Sequence, residues 1–165
     1  MNIFALDKSP SISAQWLCDK HIPKMAVESA QMMACALVRH ECPEIYMPKT
    51  KAGSHYKGGY KGHPCSVWAG DSRENFLWLG NHALELVREF MKRYEKMHAC
   101  TEPIVVMCNL AEYIPEGKLT PFAQAMPDKY KDKCPHKAYK AYYNNEKNSF
   151  ADGSKAVWNL SLIHI

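Results

Sequence analysis

The sequence predicts an all-α fold, a compact single domain of four to five helices around a central helix, with long loops on its surface. Three observations predict it. Apolar residues recur at steps of three and four along several stretches, helix-starting residues stand at the heads of those stretches, and the alternation expected of half-buried strands is weak throughout. The chain has 165 residues, enough for one core, and its 47% hydrophobic and 23% charged residues are close to globular averages. A disordered chain, a collagen-like fibre and a coiled-coil rod are therefore excluded.

In chain order, Met1 to Leu6 is a short apolar lead-in. Ser9 with Pro10 makes a good helix start, and a helical pattern runs from there to about His40, with Pro23 kinking it or beginning a second segment. Its buried stripe is Ile22, Met25, Ala26, Ala30, Met33 and Leu37. Residues 43–62 hold Pro43, Pro48, Gly53, Gly58, Gly59 and Gly62, a loop of unusual length, and such loops are commonly functional. His63 and Pro64 lead a short helix to Ala69, after which Asp71, Ser72, Arg73 and Glu74 read as a capping box opening the strongest helix. The core face of that helix is Phe76, Leu79, Ala83, Val87, Phe90 and Tyr94. Thr101 caps another helix to about Glu112, Pro115 to Pro127 is a second connection, and Pro135 starts a last helix through Phe150. Residues 160–165 are apolar and read as a tail that is not native to the domain.

No stretch approaches the roughly 18 apolar residues of a spanning helix, and no secretory signal is evident, so a soluble, cytoplasmic protein without a membrane partner is expected. The seven cysteines are odd in number and irregular in spacing, which argues for reduced thiols over a disulfide framework. The net charge is +4, and its placement is informative: no acid occurs between Glu44 and Asp71, while Lys49, Lys51, Lys57 and Lys61 do. Those four lysines equal the whole excess. An anionic partner is expected to meet this segment.

Three constellations carry candidate chemistry. His21, Lys24, Glu28 and Gln31 share one helix face at i, i+3, i+7 and i+10, opposite the apolar stripe. A carboxylate beside an ammonium and an imidazole able to titrate near neutrality is a workable acid-base set. The same spacing describes a solvated face with an ordinary Lys-Glu pair, and spacing alone does not decide. Second, the loop from Lys49 to His63 interleaves lysines with Tyr56, Tyr60 and glycines, a pattern suited to phosphates and bases. Lys49, Lys51, Lys57, Tyr60, Lys61, His63 and Arg73 are its candidate DNA contacts, joined by Tyr139, Lys140, Tyr142 and Tyr143 on the last helix. Third, Cys18 with His21, His63 with Cys65, His98 with Cys100 and Cys134 with His136 are neighbours, yet none has the Cys-x-x-Cys or His-x-x-x-His spacing that nucleates a zinc site. No phosphate-cradling Gly-rich loop, HExxH or GxSxG occurs, so nucleotide hydrolysis, zincin proteolysis and α/β-hydrolase chemistry have no support.

Taken together, Met1-Asn2-Ile3-Phe4, the run Asp19-Lys20-His21 with Glu28 seven residues after the histidine, and Tyr139-Lys140-Ala141-Tyr142-Tyr143 resemble the phage pyrimidine-dimer DNA glycosylases of the endonuclease V type. The resemblance implies a cofactor-free, metal-free monomer acting on damaged or modified double-stranded DNA in a phage-infected bacterial cell. It implies that an N-terminal α-amine attacks the sugar C1′, displaces the base and forms an imine that undergoes β-elimination. Such an amine ordinarily titrates near about 7.7 to 8.0, well below a lysine. By the resemblance, Met1 offers the amine, Glu28 stabilises the cationic sugar and moves protons, His21 contacts DNA with Lys24 nearby, and the terminal tyrosines bind DNA. The pattern departs at Val27, where the family carries an arginine, and Lys24 stands one turn earlier as the replacement cation. Two other readings fit the residues: a non-catalytic nucleic-acid-binding module, and a small zinc-dependent nuclease built from the Cys/His pairs.

Overall fold

In the computed structural model, which describes residues 1–158, six α-helices and three short 3₁₀ turns account for the regular structure. They are α1 (Pro10–Gln15), α2 (His21–Arg39), α3 (Pro64–Asp71), α4 (Arg73–Tyr94), α5 (Thr101–Cys108) and α6 (Pro135–Glu146). The described residues contain isolated β-bridges and no sheet, so the fold is all-α. None of these helices is long and apolar enough to cross a membrane. The expected tail at 160–165 lies outside the described residues.

Local chemistry explains most helix boundaries. Ser9 caps α1 by accepting the Ile12 N–H, with Pro10 at the first helical position, where a missing N–H costs nothing. The break before α2 falls at residues 16–20 rather than at Pro23, which sits in the first turn of α2. Ser72, not Asp71, caps α4: its Oγ accepts the Asn75 N–H at 3.1 Å. Asp71 instead ends α3 and pairs with Arg39, while Glu74 reaches away to the Leu119 N–H rather than back to the cap. The capping box expected from the sequence is thus shifted by one residue and opened. Cys100 stands at the N-cap of α5, Thr101 being its first residue, and α5 and α6 stop at Cys108 and Glu146, short of the expected Glu112 and Phe150.

Helices α2 and α4, packed on each other, organise the core. The buried face expected on α2 is broader than one stripe: Met32, Ala34 and Ala36 are as fully buried as Ile22, Met25, Ala26, Ala30, Met33 and Leu37. Helix α4 packs against α1, α2, α3 and α5, and α2 also meets α3 and α5. Each fully buried Ile, Leu or Met side chain contributes on the order of 2 kcal/mol by leaving water. At the C-terminal end of α4, the buried Arg93 guanidinium donates to the Gln15 and Leu17 carbonyls and pairs with Asp19 and Glu89. That one side chain fastens the α1–α2 connection to α4.

The 43–62 segment is seated on α2 rather than free. Thr50 donates its N–H to the Ser54 carbonyl and Tyr56 its N–H to the Pro48 carbonyl, closing a small hairpin. Gly58, at φ +71°, lies directly on Cys35, whose Sγ donates to the Gly59 carbonyl at 3.0 Å. A Cβ at position 58 would come 2.4 Å from Cys35 Sγ and 2.6 Å from its backbone nitrogen, so glycine is required there on two counts.

Gly58→Ala is expected to lower stability by about 2 kcal/mol or more in denaturant unfolding, because the loop must lift off α2. His82 generates a second expectation. It is fully buried, stacked on Trp78, and neither ring nitrogen finds a partner among the described residues. Burial lowers its pKa from 6.5 to about 3, and burial with the nearby Lys24 and Lys147 lowers that of His21 to about 4. Below pH 6.5 the unfolded chain takes up these protons before the folded one does, so stability falls as pH drops from 6.5 towards 4. His82→Leu removes an unpaired polar ring and is expected to raise the melting temperature at pH 7, by the equivalent of about 1 to 3 kcal/mol, and by more at pH 5.

Candidate active site

The site is built around the first residues of the chain, which have no regular structure yet are deeply buried. Ile3 and Ala5 are fully enclosed, and Asn2 works as the anchor. Its Nδ2 donates to the Ala125 carbonyl at 2.8 Å, and its Oδ1 accepts the Ile3 N–H at 2.8 Å, turning the chain sharply. Phe4 follows in the left-handed region at φ +50°, and its carbonyl accepts the Ser13 hydroxyl while the Ser13 Oγ accepts the Leu6 N–H. His136 on α6 donates from Nδ1 to the Ala5 carbonyl at 2.9 Å. Ser13, Ala125 and His136, from three other parts of the chain, thus hold one short segment.

This arrangement brings the amino terminus to Glu28 in the middle of α2. Glu28 Oε2 accepts the Asn2 main-chain N–H at 2.7 Å and stands 3.9 Å from the Met1 nitrogen. Its Oε1 lies 3.8 Å from Lys24 Nζ, the next cation on the helix face. The Glu28 side chain is 14% exposed and Lys24 61%, so the carboxylate opens towards solvent beside an outer lysine. On the other side, Ser66 Oγ of α3 donates to Met1 Sδ at 3.2 Å. The fold brings the amine, the carboxylate and Lys24 together. Val27, one residue before Glu28, is exposed and supplies no charge.

His21 departs from its expected place. It faces the interior, stacked on Phe4 at 5.1 Å with Nδ1 2.7 Å from the Tyr143 hydroxyl, which itself accepts the Cys18 N–H. With its pKa lowered to about 4, chiefly by burial, it stays neutral rather than titrating near neutrality. Tyr143 and Tyr139 are likewise core residues: Tyr139 is fully buried, donates to the Ala123 carbonyl and edges onto Phe4. Their expected DNA contacts are corrected to packing against the N-terminal segment. Arg73 is also committed elsewhere, donating to the Ala111, Ile114 and Glu112 carbonyls and pairing with Glu116. Of the α6 patch, Lys140 is exposed over the Trp16 ring and Tyr142 half-buried against Tyr130.

Two clefts border α2. One, of about 280 Å³, runs between α2 and the seated loop and is lined by Val27, Gln31, Thr50, Tyr56, Lys57 and Cys100 among others. The second, of about 510 Å³, carries Lys20, Lys24 and Lys147 with Phe150 at its wall. Lys49, Lys51, Lys57, Tyr60 and Lys61 are exposed on the loop beside them, with Lys57 near Glu44, and His63 is half-buried at the loop's end. Lys147 went unmarked at the sequence level, where Lys20 and Asn2 stood only inside the motifs of the resemblance without a role; their places come from the fold. Among the described residues no three His, Cys, Asp or Glu side chains are placed to hold a metal ion.

The fold and this geometry can be set beside known families. The family model described as pyrimidine dimer DNA glycosylase matches residues 1–102, which span the amino terminus, Glu28, the basic loop, α3 and α4. No curated protein and no solved structure gives a match. With most of its length matched, Met1, Lys24, Glu28 and Ser66 included, the chain belongs to the pyrimidine dimer DNA glycosylase family of DNA repair enzymes.

Proposed function

We propose that this chain excises damaged pyrimidines from double-stranded DNA as a combined glycosylase and AP lyase, with the Met1 α-amine as nucleophile. The observation that carries the reading is the Met1 nitrogen standing 3.9 Å from the carboxylate of Glu28 at the mouth of the site. An amine there attacks the sugar C1′ as the bond to the base breaks with its electron pair leaving on the base. The sugar ring opens to an iminium, and Glu28 balances the positive charge on nitrogen and C1′. A carboxylate in this position then takes a proton from C2′, the electron pair moves to form the C2′–C3′ double bond, and the 3′ phosphate departs. Water hydrolyses the imine and restores the amine.

Extrusion of the damaged nucleotide exposes C1′ to a group lying at the protein surface rather than in a deep pocket. The lysines of the 43–62 loop, with Lys20, Lys24, Lys140 and Lys147, supply the cationic surface on which the phosphates rest. The protein acts as a monomer without a metal or cofactor, since amine, carboxylate and cation belong to one chain and none of the bond changes requires an electron carrier.

Incubation of the untagged protein with an abasic duplex and borohydride is expected to give a covalent adduct mapping to Met1, and no adduct after acetylation of the amine. Glu28→Gln is expected to bind the duplex normally and to cleave at least about 100-fold more slowly; cleavage at the parent rate would remove Glu28 from the mechanism. Replacing Lys57 and Lys61 together by alanine is expected to weaken binding to all duplexes and to flatten the slope of log affinity against log salt by about two.

A further inference from the structure

The third side of the amine's surroundings is the first turn of α3. Ser66 reaches Met1 Sδ, Cys65 is fully buried, and His63 stands at the N-cap. The His63 ring accepts the Cys65 N–H on Nδ1 at 3.1 Å. That bond selects the tautomer, because an accepting Nδ1 keeps its lone pair and the ring proton of neutral imidazole then resides on Nε2. Since Nδ1 is turned back onto its own helix, the Nε2 edge is turned away from it, and no partner occupies Nε2 among the described residues.

His63 is also in electrostatic contact with the centre of the site. Burial lowers its pKa first and the charge at the Met1 amine lowers it further, while Glu28 opposes both. The ring therefore remains a neutral donor at physiological pH, adding no cation beside an amine that must be uncharged to react. The groups grouped around that amine are unequal in kind. Glu28 only accepts, the Ser66 hydroxyl is spent on Met1 Sδ, and Lys24 stands outward in solvent. A reaction that leaves positive charge at C1′ and negative charge on the departing base is served on its positive side alone, unless a donor faces the base.

We propose that His63 is a further catalytic residue of this site, whose Nε2–H donates a hydrogen bond to the carbonyl oxygen of the departing pyrimidine as its bond to C1′ breaks. The inference rests on the amine-centred reading above. No proton leaves the imidazole: the hydrogen bond stabilises the electron pair arriving on the base, which afterwards takes its proton from water. His63 thus acts on base release and is not needed once the base has gone.

That separation supplies the test. His63→Asn keeps a preferred N-cap, since the Asn Oδ1 can accept the Cys65 N–H, but removes the Nε2 donor. His63→Gln places an amide N–H near the position of Nε2 and surrenders the cap. Base release is measured as cleavage of the glycosidic bond in single turnovers on a duplex carrying one thymine dimer, whose freed base stays tethered to its neighbour, imine formation by borohydride trapping on a preformed abasic duplex, and folding by melting temperature. The expected result is that His63→Asn melts like the parent, releases base about 100-fold more slowly and traps the abasic duplex within about threefold of the parent, while His63→Gln recovers part of the base release. Base release by His63→Asn at the parent rate overturns the proposal. So does an equal loss of release and trapping, which would place His63 in sugar-ring opening or in the fold. A parent that forms no adduct at all overturns the amine reading itself, and this inference with it.

Discussion

The burial of residues 2–6 is the constraint on which the site depends. A segment without helix or strand must satisfy its backbone polar groups through side chains, and here Asn2, Ser13 and His136 do so one by one. Ile3 and Ala5 then contribute burial that holds the segment in place, and the geometry of Asn2 leaves the Met1 nitrogen no latitude to wander from Glu28. Precision at the amine is therefore a property of the core. An amine on a frayed terminus would meet a substrate in many orientations and lose most of the advantage of being held near a carboxylate.

Around that anchor, charge is distributed by depth. The inner layer is neutral or acidic: His21 and His63 are held in their uncharged forms chiefly by burial, and Glu28 faces the amine. The outer layer is cationic, with the lysines of the seated loop and those of the second cleft standing in solvent. On the proposed mechanism this layering lets phosphates meet the rim without drawing further positive charge onto the amine, so binding and reactivity would not compete for the same groups. The Gly58 contact on Cys35 maintains this layering by fixing the loop against α2.

Helical periodicity and caps made the all-α fold legible, along with α2 and α4, because both carry long runs at steps of three and four. Spacing also placed Glu28 beside Lys24 on one face. Periodicity reports which residues share a face but not what covers it, and there the reading failed for His21: the N-terminal segment and α6 lie over the start of α2 and convert a polar face into interior. Tyr139 and Tyr143 were legible as an aromatic cluster, and the same cluster serves DNA or core according to what packs on it. Arg73 was misjudged because its partners, the carbonyls between Ala111 and Ile114, belong to a turn some forty residues away that no local pattern connects to it. The anchoring by Asn2 required both ends of the chain to be in place, since its partner is Ala125.

The long reach of those N-terminal contacts bears on how the protein is made. Asn2 is held by Ala125 across 123 positions and Ala5 by His136 across 131. Residues 2–6 leave the ribosome well before the surfaces that enclose them, and translation runs at about 5 to 20 residues per second, so they wait for seconds without a binding place. The helices of the α2–α4 pair can collapse during that interval, whereas residues 2–6 complete their docking only after α6 has emerged. Enclosure of the amino terminus is thereby a late event of biosynthesis, and a chain that stops short of α6 carries Met1 and Glu28 without the Ala125 and His136 contacts that fix the segment between them.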